Sequence, residues 1–178
     1  MASVRRSARL RGLSPSGTPH IGYKLCRDRR LVTLQITGET NESRPDVVDA
    51  QHAKLRTSRA TVLSIQHADT NEIFTAAASY YDSTFVYVVG KEMTTSEYDE
   101  NPKEICGGGI HYFLSREAAF YYDSIPSNWC GIWYVWRNDG RLGEKSNFKN
   151  GKNDGLCEIY DGAITTRYNF CNGKLLAS

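Results

Sequence analysis

The chain has 178 residues, of which 40% are hydrophobic and 24% are charged, and its formal net charge is +2. These values are ordinary for a globular protein and exclude a disordered or collagen-like chain. The length suits one domain with a small appendage. No stretch reaches about 18 consecutive apolar residues, so we expect no membrane-spanning helix. The first twelve residues lack an apolar segment of signal-peptide length, so we expect no secretion.

Basic residues are concentrated at the start of the chain. Residues 1–30 carry eight basic side chains and one acidic side chain, so the rest of the chain has a net charge of −5. Residues 1–19 are rich in Ser, Pro and Gly and predict a flexible basic arm, whose partner-binding residues would be Arg5, Arg6, Arg9 and Arg11. Such an arm can bind an acidic protein neighbour, bind the phosphates of nucleic acid or remain a solvated tail.

Residues 20–126 predict an α+β body, mainly antiparallel β-sheet with one or two short helices. Segments rich in Val, Ile, Tyr and Thr predict strands at 21–26, 31–36, 60–66, 85–89 and 110–114. Residues 47–55 are open between a short helix and a loop, and residues 73–81 between a helix and a strand. Ser115 has the features of a helix N-cap and predicts a helix that ends near Tyr122.

Asp-Gly and Asn-Gly pairs recur every eleven residues near the end of the chain, at 139–140, 150–151, 161–162 and 172–173. These pairs favour type I′ hairpin turns, because both central residues of that turn have positive φ. Aromatic and β-branched residues lie between the pairs. We therefore predict an antiparallel β-meander over residues 127–178, with a strand about every eleven residues.

The predicted meander contains a longer repeat of two units. Gly131–Trp136 opens the first unit and Gly155–Tyr160 the second, and each unit closes with an aromatic residue, one further residue and Asn-Gly-Lys. Over residues 131–176 this pattern resembles MORN-type repeats, which implies stacked β-hairpins used for assembly and contact, without catalytic residues. Because repeats bury their faces against neighbours, we expect the two units to pack on the body or on another chain.

Three tryptophans, Trp129, Trp133 and Trp136, lie within eight residues at the start of this meander. Successive residues of a strand face opposite sides, so we expect Trp133 and Tyr134 on opposite faces, one of which packs on the body. Trp is a frequent anchor at interfaces. We predict that the three tryptophans bind a partner, and packing of both faces within the chain is the alternative.

Five segments of the body, taken in their order along the chain, carry a second resemblance: Gly22–Cys26, Lys54–Ala60, Tyr81–Asp82, Phe85–Gly90 and Cys106–Ala118. Over residues 20–123 they are similar to an uncharacterised domain common in large DNA viruses of amoebae, where it often stands beside pentapeptide or MORN-like repeats. No activity is established for that domain. The resemblance therefore implies a viral setting and no mechanism.

No catalytic or metal-binding set stands out, and we predict no cofactor. The five cysteines and four histidines lack the close spacing of zinc ligands. His111 is either a catalytic base or ligand, or a histidine that is hydrogen-bonded within the core, and we favour the second interpretation. Gly109–Phe113, followed by Ala-x-x-Tyr, has an analogue in ADP-ribosyltransferase-like folds, where Tyr23, His111 and Tyr112 would line a nicotinamide pocket. No catalytic glutamate can be assigned.

Together these features predict a non-enzymatic structural or assembly protein of a large DNA virus. We expect a minor virion or capsid component, located in the virion and, during assembly, in the host cytoplasm. Its partners would be viral capsid proteins, with nucleic acid as a second class of partner for the basic arm. An ADP-ribosyltransferase-like enzyme and a host-directed adaptor in the infected cell are the alternatives.

Overall fold

The computed structural model describes residues 20–177, which form fourteen β-strands and one α-helix. The predicted arm of residues 1–19, with Arg5, Arg6, Arg9 and Arg11, lies outside this range. The strands of the body are β1 (His20–Cys26), β2 (Arg30–Ile36), β3 (Leu55–Thr57), β4 (Arg59–His67), β5 (Ile73–Phe74), β6 (Ala76–Ala78), β7 (Val86–Val88), β8 (Glu92–Thr94) and β9 (Ile110–Tyr112). They are followed by α1 (Arg116–Phe120), β10 (Gly131–Trp136), β11 (Leu142–Lys149), β12 (Lys152–Asp161), β13 (Ile164–Cys171) and β14 (Lys174–Leu175).

The body is built on an antiparallel sheet with the order β1-β2-β4-β5, in which β8 also pairs with β4. Two smaller antiparallel pairs, β3 with β9 and β6 with β7, complete it. From Val32 to Ile36 alternate residues of β2 point into the main core, and Leu31 is buried on the other face with Leu25 and Phe113. The largest apolar side chains of this core are Val32, Leu34, Ile36, Leu55, Val62, Ile65, Tyr87 and Tyr112.

The strands predicted from local composition are confirmed as β1, β2, β4, β7 and β9. The ambiguous segment 73–81 contains strands and not a helix, because β5 pairs with β4 and β6 pairs with β7. Residues 92–94, for which no strand was predicted, form β8.

The fold is mainly β, so the α+β expectation is corrected. Within residues 20–177 the only α-helix is α1, and no helix there is long and apolar enough to cross a membrane. The predicted N-cap is confirmed, since the Ser115 hydroxyl accepts a backbone N–H from the first turn of α1 at 3.0 Å. Residues 47–55 do not form a helix, because the N–H groups of Val48 and Asp49 donate to the Asp139 carbonyl at 2.9 and 3.2 Å.

The C-terminal sheet has the order β10-β11-β12-β13-β14, which confirms the predicted antiparallel meander. In the turns at Asn150-Gly151 and Asn172-Gly173 both residues have positive φ, as a type I′ turn requires. The other two pairs differ, because only their glycines, Gly140 and Gly162, have positive φ. Asp161 pairs with Ile164, so the loop begins at Gly162, which has the positive φ there while Asp161 does not.

Candidate functional site

The turn between β10 and β11 joins the C-terminal sheet to the body. The Asn138 carbonyl accepts the N–H of Lys54 at 3.1 Å and the guanidinium of Arg44 at 2.5 Å. Gly140 is buried in the same turn, and a Cβ there would lie 1.9 Å from the carbonyl oxygen of Asp49. Only glycine therefore allows this turn to approach the loop that precedes β3.

The three predicted tryptophans come together at this junction. The ring of Trp133 is 2% exposed and lies edge-on to Tyr121 and Trp129, with centroid distances of 4.9 and 5.3 Å. Trp136 is half-buried and stacks on His52 at 4.7 Å. The Trp133 ring is thus used for packing within the chain. The partner-binding role of the three tryptophans stays a prediction, and Trp129 and Trp136 retain partly exposed surface for it.

The body contacts β10 on both faces. Trp133 and Tyr134 lie on opposite faces of the strand, yet the ring of Tyr121 is 4.9 Å from the first and 5.3 Å from the second. The reason is that β10 is an edge strand, paired only with β11. Tyr121 contacts residues of both faces, and packing of both faces within the chain was the alternative to body contact by one face.

An apolar face extends from Trp133 across the C-terminal sheet. Directly opposed residues of antiparallel strands share a face, and the register aligns Trp133 with Ser146, Cys157 and Tyr168. Cys157 and Ser146 are buried on this face. Four of its large side chains are between 38% and 68% exposed: Val135, Ile159, Ile164 and Tyr168. We call these four residues the exposed apolar face.

The opposite face of the same sheet is charged. Glu158 accepts hydrogen bonds from Arg167 Nε and from the Tyr160 hydroxyl, both at 3.0 Å, and Lys145 lies directly opposite Glu158 on β11. The two faces differ in degree. Glu144 and Asp161 lie among the apolar residues of the first face, opposite Ile159 and Ile164, and Leu156 and Tyr160 lie on the second face. The exposed apolar face was not predicted from the sequence, because the three tryptophans placed the predicted contact surface on β10. The signal for it was the even spacing of Ile164, Tyr168 and Phe170 along β13, which places them on one face of the strand.

The three residues of the predicted nicotinamide pocket do not converge on one cavity. Tyr112 is fully buried, and its hydroxyl donates to the carboxylate of Glu42. The backbone of Tyr23 pairs with that of Phe113. Of the three, only His111 lines the two adjoining cavities in this part of the body.

His111 has the environment of a neutral histidine within the protein. Burial lowers its pKa to about 4, and the nearby charges of Lys54, Lys24 and Arg56 act in the same direction. Its Nε2 lies 3.3 Å from the carbonyl oxygen of Ile105. These contacts favour the interpretation of a hydrogen-bonded histidine. Across residues 20–177, no group of three or more His, Cys, Asp or Glu side chains is arranged to hold a metal ion.

Two lysines line the cavity beside His111, which has a volume of about 50 Å³. Lys54 is 7% exposed, and its Nζ lies 5.2 Å from the centre of the Tyr122 ring and 3.9 Å from Sγ of Cys106. Lys24 Nζ donates to the carbonyl oxygen of His111 at 3.3 Å. Burial lowers the pKa of Lys24, and the charge of Lys54 contributes in the same direction. We call this cavity the basic cavity.

Comparison with known proteins identifies the body. Residues 11–119 match a family described as a family of unknown function (DUF5758). The chain belongs to this family. The DUF5758 region includes Lys24, Lys54 and His111 but none of the strands β10–β14. It covers most of residues 20–123, the segment that resembles an uncharacterised domain. No curated protein and no solved structure shows significant similarity to the chain.

Proposed function

We propose that this DUF5758 protein is a non-enzymatic structural or assembly protein of a large DNA virus. It is a minor virion or capsid component that contacts viral capsid proteins through its C-terminal sheet. The observation that carries this proposal is the exposed apolar face of Val135, Ile159, Ile164 and Tyr168. Exposed apolar side chains that cluster on one face of a folded protein are a candidate site of protein contact.

The resemblance of residues 131–176 to MORN repeats supports the same role. In a repeat stack each unit is stabilised by its neighbours. On the side of β13 away from β12, β14 pairs with Phe170 and Cys171 and the Leu176 N–H donates to the Asn169 carbonyl, so among the described residues 164–168 have no neighbouring strand on that side. An unpaired strand edge is a template for another strand. A further hairpin, supplied by a partner, would continue the sheet and cover the edge.

The proposed setting is the virion and, during assembly, the host cytoplasm. It rests on the similarity of the body to a domain common in large DNA viruses of amoebae. The basic arm, with Arg5, Arg6, Arg9 and Arg11, would add contacts to an acidic protein neighbour or to nucleic acid.

The structure gives the enzyme alternative no added support. The basic cavity has a volume of about 50 Å³, whereas pockets for drug-sized ligands are typically about 300–1,000 Å³. The adjoining cavity that shares His111 has a volume of about 230 Å³, so neither cavity alone reaches the volume typical of a pocket for a ligand as large as NAD. The host-directed adaptor remains the alternative that shares the same contact surfaces, and it differs from the virion component in place and copy number.

Quantitative mass spectrometry of purified particles, compared with infected-cell lysate, tests the proposal. We expect a fixed copy number relative to the major shell protein. Absence from particles together with abundance in the lysate would contradict the virion role and favour the adaptor.

A surface variant tests the role of the exposed apolar face itself. The double substitution Ile164→Lys with Tyr168→Lys places two charges on this face, and we expect incorporation into particles to fall at least about tenfold, since burying unpaired charges opposes association. Thr165→Lys is the matched control, because Thr165 is exposed on the charged face of the same strand. Equal incorporation of both variants would show that this face is not the contact.

A further inference from the structure

The basic cavity holds two ammonium groups without a carboxylate partner at close range. Among residues 20–177, no Asp or Glu oxygen lies within 4.0 Å of the Nζ atoms of Lys24 or Lys54. Residues 1–19 contain no Asp or Glu at all. Asp123 also lines the cavity, but it forms no ion pair with either lysine.

The weak partners of Lys54 leave its hydrogen-bonding capacity unused. An ammonium group has three donors. The contacts of Lys54 Nζ are the Cys106 sulfur at 3.9 Å and the face of the Tyr122 ring at 5.2 Å. A buried charge is costly unless it is paired and hydrogen-bonded, and the neighbouring Lys24 adds repulsion. An anion between the two lysines would offset both effects.

We propose that the basic cavity binds a small oxyanion, namely phosphate or the phosphate group of a phosphomonoester, with Lys24 and Lys54 as its charged donors. The cavity volume of about 50 Å³ is less than twice the share of about 30 Å³ that one water molecule has in the liquid. It therefore suits a small group.

The surroundings of the basic cavity fit this ligand class. Tyr81 and Tyr122 line it, and the neighbouring Tyr122 hydroxyl raises the pKa of Tyr81. A second cavity of about 230 Å³ shares Lys24, Tyr81 and His111 with the first, which gives space for the organic part of a phosphomonoester. The lining of the site lies in the body and contains no residue of the C-terminal sheet, so its test does not depend on the proposed assembly role.

Isothermal titration of the full chain with inorganic phosphate, at constant ionic strength and with chloride as the reference salt, tests the proposal. We expect saturable binding by the wild-type protein and a rise of its melting temperature, because a ligand that binds only the folded state stabilises it. Glycerol phosphate distinguishes the two sources of the phosphate group. Tighter binding of glycerol phosphate than of inorganic phosphate assigns the site to phosphomonoesters, and the reverse order assigns it to the free ion.

Charge variants locate the binding. Lys54→Met and Lys24→Met should each weaken phosphate binding about tenfold to a hundredfold, the range for hydrogen bonds to charged groups. Lys91→Met is the matched control, because Lys91 is exposed. Asp123→Asn removes a negative charge from the lining and should tighten binding. All variants retain the basic arm, so any phosphate bound by its arginines is common to them all.

Two results would overturn the proposal. One is a wild-type protein that gives no saturable signal with phosphate beyond that with chloride. The other is unchanged phosphate binding in Lys54→Met and Lys24→Met variants whose circular dichroism spectra match that of the wild type. Loss of fold is not expected for Lys54→Met, because replacing a buried unpaired charge with an apolar side chain of similar length is commonly neutral or stabilising.

Discussion

Replacement of Trp133 by alanine should destabilise the protein more than alanine replacement of either other tryptophan at the junction. The Trp133 ring is 2% exposed, and an aromatic side chain buries about 150–250 Å². At about 25 cal/mol/Å² this area corresponds to about 4–6 kcal/mol, and aromatic-to-alanine changes in cores cost about 3–5 kcal/mol. We expect a loss of about 3–5 kcal/mol in the free energy of unfolding, and with it a fall in melting temperature of about 6–20 °C.

Two spectroscopic signals make the assay specific. Trp129, Trp133 and Trp136 are the three tryptophans of the chain and all lie at the junction, so fluorescence reports the junction while far-ultraviolet circular dichroism reports the whole fold. Trp136→Ala is the control, because its half-buried ring should cost only about 1–2 kcal/mol. A fall of less than about 2 °C for Trp133→Ala, or equal effects of the two variants, would refute the assignment of Trp133 as the central packed residue.

Three further predictions address the body and the arm. Gly108→Ala would place a Cβ 1.6 Å from the carbonyl oxygen of Glu97 and should lower the free energy of unfolding by about 3 kcal/mol or more. Gly90→Ala is the control, because Gly90 has a φ of +78° and open space around Cβ, and it should cost about 1 kcal/mol. Equal losses of stability in urea denaturation would contradict the steric argument. His111 has a folded pKa of about 4 against 6.5 in the unfolded chain, so the unfolded state binds more protons and stability falls as the pH drops from 6.5 to 4. His111→Gln should remove up to about 3 kcal/mol of that loss in the free energy of unfolding. An NMR titration that gives His111 a pKa near 6.5 in the folded protein would contradict the prediction. Deletion of residues 1–19 should abolish salt-sensitive nucleic-acid binding, measured by fluorescence anisotropy between about 50 and 200 mM salt; unchanged binding would show that the arm is not the contact.

Features encoded by neighbouring residues could be predicted from the sequence. The Asn150-Gly151 turn and the Ser115 N-cap depend on the conformation and bonding of adjacent residues, and both are present. Residues 47–55 could not be assigned in this way, because their backbone bonds come from Asp139, in a turn late in the chain. The short strand β8 depends likewise on its pairing with β4 and not on its own composition.

The basic cavity could not be predicted from residue spacing. Lys24 lies on β1, Lys54 immediately precedes β3, and His111 lies on β9. The pairing of β3 with β9 and the bridge between Tyr23 and Phe113 bring the three residues together. Each lysine, taken alone in the sequence, resembles a solvent-exposed surface residue. Only their shared burial distinguishes them.

Lys54 connects the basic cavity to the junction, which leads to a final prediction. Its side chain lines the cavity, while its backbone N–H donates to the Asn138 carbonyl in the turn of the C-terminal sheet at 3.1 Å. A second connection uses two consecutive residues. Tyr122 lines the basic cavity, and Tyr121 packs on the Trp133 ring at the junction. Phosphate binding should therefore change the tryptophan fluorescence, and Lys54→Met should remove the change. Calorimetric binding without any change in fluorescence would show that the cavity and the junction are independent, and that an anion in the body does not affect the sheet that carries the exposed apolar face.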